Sequence, residues 1–248
     1  MSPVQVSCMK FMHENSHKQH FSAKLPLRRR MEKLGYKVED MEQLYEYIYM
    51  RVPLIIHIHI SKHMEFFVKD THYRNQFETG KSSGSTNLVS RKGWETRMFM
   101  NRYDQSPHFE RVKYGTVNFT NDPRGVNACR SYGNSYLVLN KSVRDRCTLT
   151  DQDSSNTCSL IGTFKFCYHI LNKLTDAELK ATIRASRGEE VCSSVVGSYK
   201  EIQIHGPIDF AKDIEKMYVN EIEYNTPQFK QLVEDFTKKF GIPFQVFK

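Results

Sequence analysis

Between Arg74 and Ser154 the chain runs through RNQFETGKSSGS, GWETRMF, RVKYGTVNF, SYGNSYLVL and RDRCTLTDQDS, and YKEIQIHGPIDF answers this block later. These are short apolar segments with polar ends, separated by turns and not by regular helical crossovers. A parallel sheet needs a crossover of a dozen or more residues between successive strands, so the spacing points away from a doubly wound fold. Neither GxGxxG nor GxxxxGK[ST] occurs, which argues further against Rossmann and P-loop sites. The expectation is an α+β domain with a mixed, mainly antiparallel sheet and flanking helices, whose polar strand ends frame a cleft.

The hydrophobic period places the remaining elements. Met41, Leu44, Tyr45 and Ile48 keep the i, i+3, i+4, i+7 rhythm of a helix within 27–50. The period then changes to two. From Pro53 to Ser61 the isoleucines 56, 58 and 60 alternate with His57, His59 and Ser61, which on a strand would put both imidazoles on one face. Further strands are expected at 112–119, 135–140, 146–150 and 198–205, and the Gly/Ser-rich stretch 80–93 reads as a mobile loop able to act as a lid. Thr175 with Glu178 three residues on forms a capping box for a helix ending near Ser186. Pro227 opens a last helix, and Gly241 stops it.

With 248 residues, 39% of them hydrophobic, the chain can bury a substantial core. Residues 1–24, polar and rich in histidine, read as a flexible tail, and 25–248 as one α+β domain with a helical part at 25–50 and the core at 51–248. The longest apolar run, Val52 to Ile60, is interrupted by His57 and His59 and falls well short of the ~20 residues needed to span a bilayer. A soluble protein without membrane contact is expected. With no apolar signal core at the amino terminus, cytoplasmic residence is the default and nuclear residence the alternative. Six scattered cysteines without a CxxC pair argue for free thiols and against a zinc ribbon. The net charge of +8 suits phosphate or nucleic acid, and Arg28, Arg29 and Arg30 form the one compact basic run. No aromatics interleave with it to build a stacking platform.

Four constellations compete for a chemical role. His57 and His59 as HxH on a strand could hold a metal for a hydrolase, against a core role for one and a groove role for the other. Glu201, Gln203 and His205 share one face of KEIQIHG, opposite Ile202 and Ile204, so a carboxylate could orient a ribose hydroxyl and stabilise charge at an anomeric carbon. Arg74, before the glycine-containing loop, could grip a phosphate. Arg111, Tyr114 and Gly115, with Ser135 and Tyr136, could admit a planar ligand stacked on a ring. For each, ordinary strand, turn or solvated-surface roles are the plain alternative.

The order IH at the first strand, QFETG, the Ser/Gly stretch, GWE, YGTVN, YGNSY, RDRCTLT, DS and EIQIHGP resembles an uncharacterised family defined as a domain of unknown function, over about residues 50–215. That resemblance implies no activity. A second likeness is to ADP-ribosyltransferases, which implies a split mixed sheet that binds NAD as substrate. His57 or Arg111 would match the family's first-strand position, Ser135 or Tyr136 the middle one, and Glu201 the late catalytic glutamate. The chain departs from the pattern in one respect: the family's accessory Glu or Gln often precedes the catalytic glutamate by two residues, whereas Gln203 follows Glu201. The resemblance implies transfer of ADP-ribose to a protein or other macromolecule. The alternatives are a basic module that binds nucleic acid or phosphate without catalysis, and the His57/His59 metal hydrolase.

Overall fold

The computed structural model describes residues 1–81, 87–156 and 159–248. In chain order the elements are α1 (Pro3–Lys33), α2 (Val38–Glu46) with a π turn at Tyr47–Arg51, β1 (Leu54–Ile58), α3 (Ile60–Lys69), α4 (Gln76–Thr79), α5 (Leu88–Met98) and β2 (Lys113–Val117). They continue with β3 (Ser135–Leu139), β4 (Cys147–Thr150), β5 (Ile161–Thr163), α6 (Tyr168–Leu171), α7 (Asp176–Ser186) and β6 (Glu201–Ile204). The last are α8 (Phe210–Asp213), β7 (Ile214–Asn220), α9 (Glu221–Tyr224), α10 (Pro227–Phe240) and β8 (Phe244–Phe247). Among the described residues the strands form one eight-stranded sheet in the order β5-β4-β6-β2-β1-β3-β7-β8. Every pairing is antiparallel except β7 with β8. The expected mixed, mainly antiparallel α+β architecture is therefore present.

The two faces of the sheet differ in chemistry. Ile56, Ile58, Leu137, Leu149, Ile202, Ile204 and Met217 belong to the large apolar core, which also takes in Met64 and Phe67 of α3, Leu179 and Ile183 of α7, and Val233 and Phe236 of α10. The opposite face of β2, β6 and β4 carries Thr116, Glu201, Gln203 and Thr148, all buried. Smaller apolar clusters cover that polar side: Cys8, Met12, Phe99, Tyr103 and Val112 in one, and Ile55, Val126, Cys129, Tyr136 and Val138 in another.

Residues 1–24 are not a flexible tail. They form most of α1, a 31-residue helix about 46 Å long at 1.5 Å per residue. Ser2 caps it, Gln5 closes the capping box, and Pro3 takes a first-turn position. The tail reading failed because the buried stripe is Cys8, Met12, Ser16 and His20, four residues apart and soft or polar, so no run of aliphatics marks it. At its far end Arg30 donates to Asp176 at 2.5 Å and to the carbonyls of Asn172 and Leu174, pinning α1 to the start of α7. Arg28 pairs with Glu32, so the basic run is partly engaged in holding the helix.

Two other expectations change. His59 lies beyond β1 as the residue that precedes α3, so it does not share a strand face with His57. Of the stretch read as a lid, residues 82–86 lie outside the described residues, and 88–93 belong to α5, capped by Asn87. The five described cysteines are free. No described helix is long and apolar enough to cross a membrane.

Met12 is almost wholly buried against Phe99 and Tyr103. Replacing it by Ala should cost about 2–4 kcal/mol, lowering the melting temperature by roughly 5–15 °C for a domain of this size. A flexible tail would leave calorimetric stability unchanged.

Candidate functional site

The sheet opens between β1 and β2. These strands pair at only two positions, Leu54 with Val117 and Ile55 with Thr116. Beyond them Ile56, His57 and Ile58 pair with β3, while Lys113, Tyr114 and Gly115 pair with β6. A cavity of about 740 Å³ occupies this opening, with Ile56 and His57 on one wall and Lys113–Thr116 and Glu201 on the other. Gly115 sits where the strands part: a Cβ there would lie 2.6 Å from the carbonyl oxygen of Ile55. Its missing side chain admits the neighbouring strand, not the planar ligand the sequence suggested.

Glu201 is a carboxylate on the cavity wall, 8% exposed and on the same face as Thr116 of β2. Gln203, fully buried, donates its amide to Glu201 at 2.9 Å and accepts the Thr148 hydroxyl at 2.7 Å, so it fixes the carboxyl without reaching the cavity. His205, on the same face, bonds the Tyr103 hydroxyl at 2.6 Å. Burial pushes the Glu201 carboxyl up to about 7; hydrogen bonds from Ser154 and Gln203 and the charge of Arg91 oppose the shift, and Asp153 adds to it.

Asp153 sits beside Glu201 at the end of a hydrogen-bonded chain: Tyr132 and Tyr199 join through their hydroxyls at 2.9 Å, and Tyr199 donates to Asp153. Burial alone would raise the Asp153 pKa, but the Tyr199 hydroxyl and the Ser155 amide outweigh it and hold the group below its ordinary value. The Arg91 guanidinium, whose charge acts on both carboxyls, lies 4.6 Å over the Tyr114 ring and 5.6 Å from the centre of the Trp94 ring. Its Nε is buried and has no hydrogen-bond partner among the described residues. One side of the cavity thus brings together two carboxyls, a guanidinium and four aromatic rings.

The other sequence candidates fall elsewhere or into supporting roles. His57 lines the cavity, but its Nδ1 bonds the carbonyl of Gly133 at 2.7 Å and its Nε2 accepts the amide of Val126 at 3.1 Å. Burial lowers its pKa to about 4, so it is a neutral imidazole with both nitrogens engaged. Gly133 permits this contact: its φ is +134°, and a Cβ there would stand 2.0 Å from the Ile58 carbonyl. A metal has no lone pair to take from His57, and among the described residues no group of three or more His, Cys, Asp or Glu is arranged to hold one. Arg111 is buried outside the cavity, where it binds Glu95 at 2.6 Å and the Tyr103 carbonyl at 2.8 Å. Ser135 donates to Glu223 at 2.6 Å and accepts the Asn220 amide. Tyr136 stacks on Tyr218 and donates to the Pro123 carbonyl, beside a separate hollow of about 200 Å³. Arg74 does line the cavity, with its guanidinium held by Asp70 and Glu78.

Sequence reasoning missed Arg91, Trp94, Tyr132, Asp153 and Tyr199. Trp94 lay within GWE and Asp153 within DS, two of the short motifs that carried the family likeness. No periodicity ties them to Glu201, because long-range folding brings them there.

The raised Glu201 pKa has a consequence for stability. The folded protein keeps this proton to about pH 7, whereas an unperturbed carboxyl loses it near 4.5, so stability declines as pH rises through that window. Glu201→Gln, which keeps an oxygen to accept from Gln203, removes the decline. Relative to wild type it should gain about 3 kcal/mol between pH 4 and pH 8 in urea unfolding. An offset that does not change with pH would contradict the burial of this group.

No curated protein matches the chain. The family model "Protein of unknown function (DUF3626)" matches residues 56–186, just over half of the 248 residues, from within β1 to the end of α7 and short of the strand that carries Glu201. A match over more than half of its length shows that the chain belongs to the DUF3626 family.

Proposed function

We propose that this protein consumes NAD as an ADP-ribosyltransferase-like enzyme, with Glu201 as the catalytic carboxylate. The observation that carries the reading is Glu201 itself: a buried carboxyl, oriented by Gln203, facing a cavity lined by Tyr114, Tyr132, Trp94 and Tyr199. Rings of this kind stack on adenine or nicotinamide, and Arg91 with Lys113 supplies positive charge for the diphosphate. Gln203 comes after Glu201 because it is a positioning residue behind the carboxylate, which accounts for the departure from the usual transferase order.

In this reading Glu201 accepts a hydrogen bond from a hydroxyl of the nicotinamide ribose and stabilises positive charge at the anomeric carbon. The C–N bond to nicotinamide breaks with both electrons leaving on nicotinamide. A nucleophile of a macromolecular acceptor then bonds to the same carbon and gives up its proton. Charge stabilisation of this kind is strongest in a site that excludes water, and the burial of Glu201 supplies that condition. Phosphate affinity alone, the non-catalytic reading suggested by the +8 charge, does not call for a buried carboxylate held by an amide.

Titration calorimetry with NAD and a nicotinamide-release assay test the reading. Wild type should bind and release, and Glu201→Gln should release roughly 10²–10³-fold more slowly while folding normally. Release should also fall as pH drops below about 7, where Glu201 takes up a proton and can no longer stabilise a cation. Unchanged release in the variant would sink the assignment.

A further inference from the structure

On the α3 and α4 side of the same cavity stand two buried polar groups, one satisfied only in part and one without any partner among the described residues. Lys113, at the start of β2, is 3% exposed; its ammonium donates to the Phe109 carbonyl at 3.1 Å and has no carboxylate within ion-pair distance among the described residues. Gln76, at the start of α4, is 7% exposed, and among the described residues both its amide oxygen and its amide nitrogen lack a partner. Both line the cavity. They belong to one braced unit, because Asn75 caps α4 while its side-chain amide donates to the carbonyls of His108 and Arg111, the segment that leads into β2.

Burying a lysine without a counter-charge lowers the stability of the free protein, and so does burying an amide with both ends unbonded. Burial lowers the Lys113 pKa to about 8; Glu78 and Glu95 support the cation from a distance, and Arg146 and Arg74 repel it. A structure carries such a cost where a ligand relieves it.

We propose that Lys113 and Gln76 form the anion subsite of this cavity, taking the diphosphate of a nucleotide-sugar ligand. Lys113 supplies the positive charge. The Gln76 amide nitrogen donates to a phosphate oxygen, and its oxygen accepts from an adjacent sugar hydroxyl, a pairing that suits a sugar diphosphate better than a bare anion. Tyr73 and Phe67 line the same end of the cavity and give an apolar boundary, and Lys62 and Lys81 add positive charge to its lining. Arg74, which the sequence offered as a phosphate grip, is engaged by Asp70 and Glu78.

The inference rests on the nucleotide reading of the same cavity, and its test separates the two. Calorimetry with inorganic pyrophosphate and with NAD would be run on wild type, Lys113→Met, Gln76→Leu and Glu201→Gln. Pyrophosphate should bind wild type and Glu201→Gln alike, and at least tenfold more weakly to each of the other two. Lys113→Met should melt at or above the wild-type temperature without ligand, which shows that its loss of binding is not loss of fold; Gln76→Leu is the second variant should it misfold. Pyrophosphate binding that is absent from wild type, or unchanged in both Lys113→Met and Gln76→Leu, overturns the subsite. NAD binding that survives both substitutions also overturns it while leaving the transferase reading intact. Pyrophosphate binding lost in these variants, with no NAD binding to wild type, upholds the subsite and defeats the NAD reading.

Discussion

The parting of β1 from β2 after two paired positions is the constraint on which the rest depends. An uninterrupted ladder would satisfy the backbone groups of Ile56–Ile58 and Lys113–Gly115 against each other and leave no room between the central strands. Each strand instead turns to its outer neighbour, β1 to β3 and β2 to β6, so the sheet stays continuous and still opens. Gly115 marks the point of divergence, since only a residue without a Cβ tolerates the Ile55 carbonyl so close. His57 then holds the wall on the β1 side by bonding Gly133 and Val126, which leaves it no nitrogen to spare, while burial keeps it neutral.

Placing ionisable groups around such an opening opposes folding. Glu201 is desolvated and shifted upward, and Lys113 is desolvated and shifted downward. Each shift means that the charged form is less stable in the fold than in water. Glu95 is likewise desolvated and shifted upward to about 7, but it is paired with Arg111 at 2.6 Å outside the cavity and serves the core. What separates framework from candidate site here is partner and place: Glu95 has a cation beside it in the core, whereas Glu201 and Lys113 have no ion-pair partner among the described residues and line the cavity. Arg91 stands between the two conditions, stacked on Tyr114 with one nitrogen unpartnered.

Much of the frame was legible because its signals are local. The capping box at Thr175 and Glu178, the Pro227 start and the Gly241 stop of α10, and the alternation of Glu201 and Gln203 against the isoleucines each depend on residues a few places apart. What escaped depends on long-range packing. The stripe of α1 is legible only once Phe99 and Tyr103 lie opposite Cys8 and Met12. Arg111, Ser135 and Tyr136 had the right residue types on or beside the right strands, yet Glu95, Glu223 and Pro123 claim their polar atoms. Gln76 was visible within QFETG, but its unsatisfied amide is a property of burial, which spacing does not reveal.

A crystal structure of the protein with ADP-ribose bound tests the central claim most directly. The expected result is ligand between β1 and β2, with the ribose within hydrogen-bond distance of Glu201. Ligand bound elsewhere, or an empty cavity at saturating ADP-ribose, would contradict it.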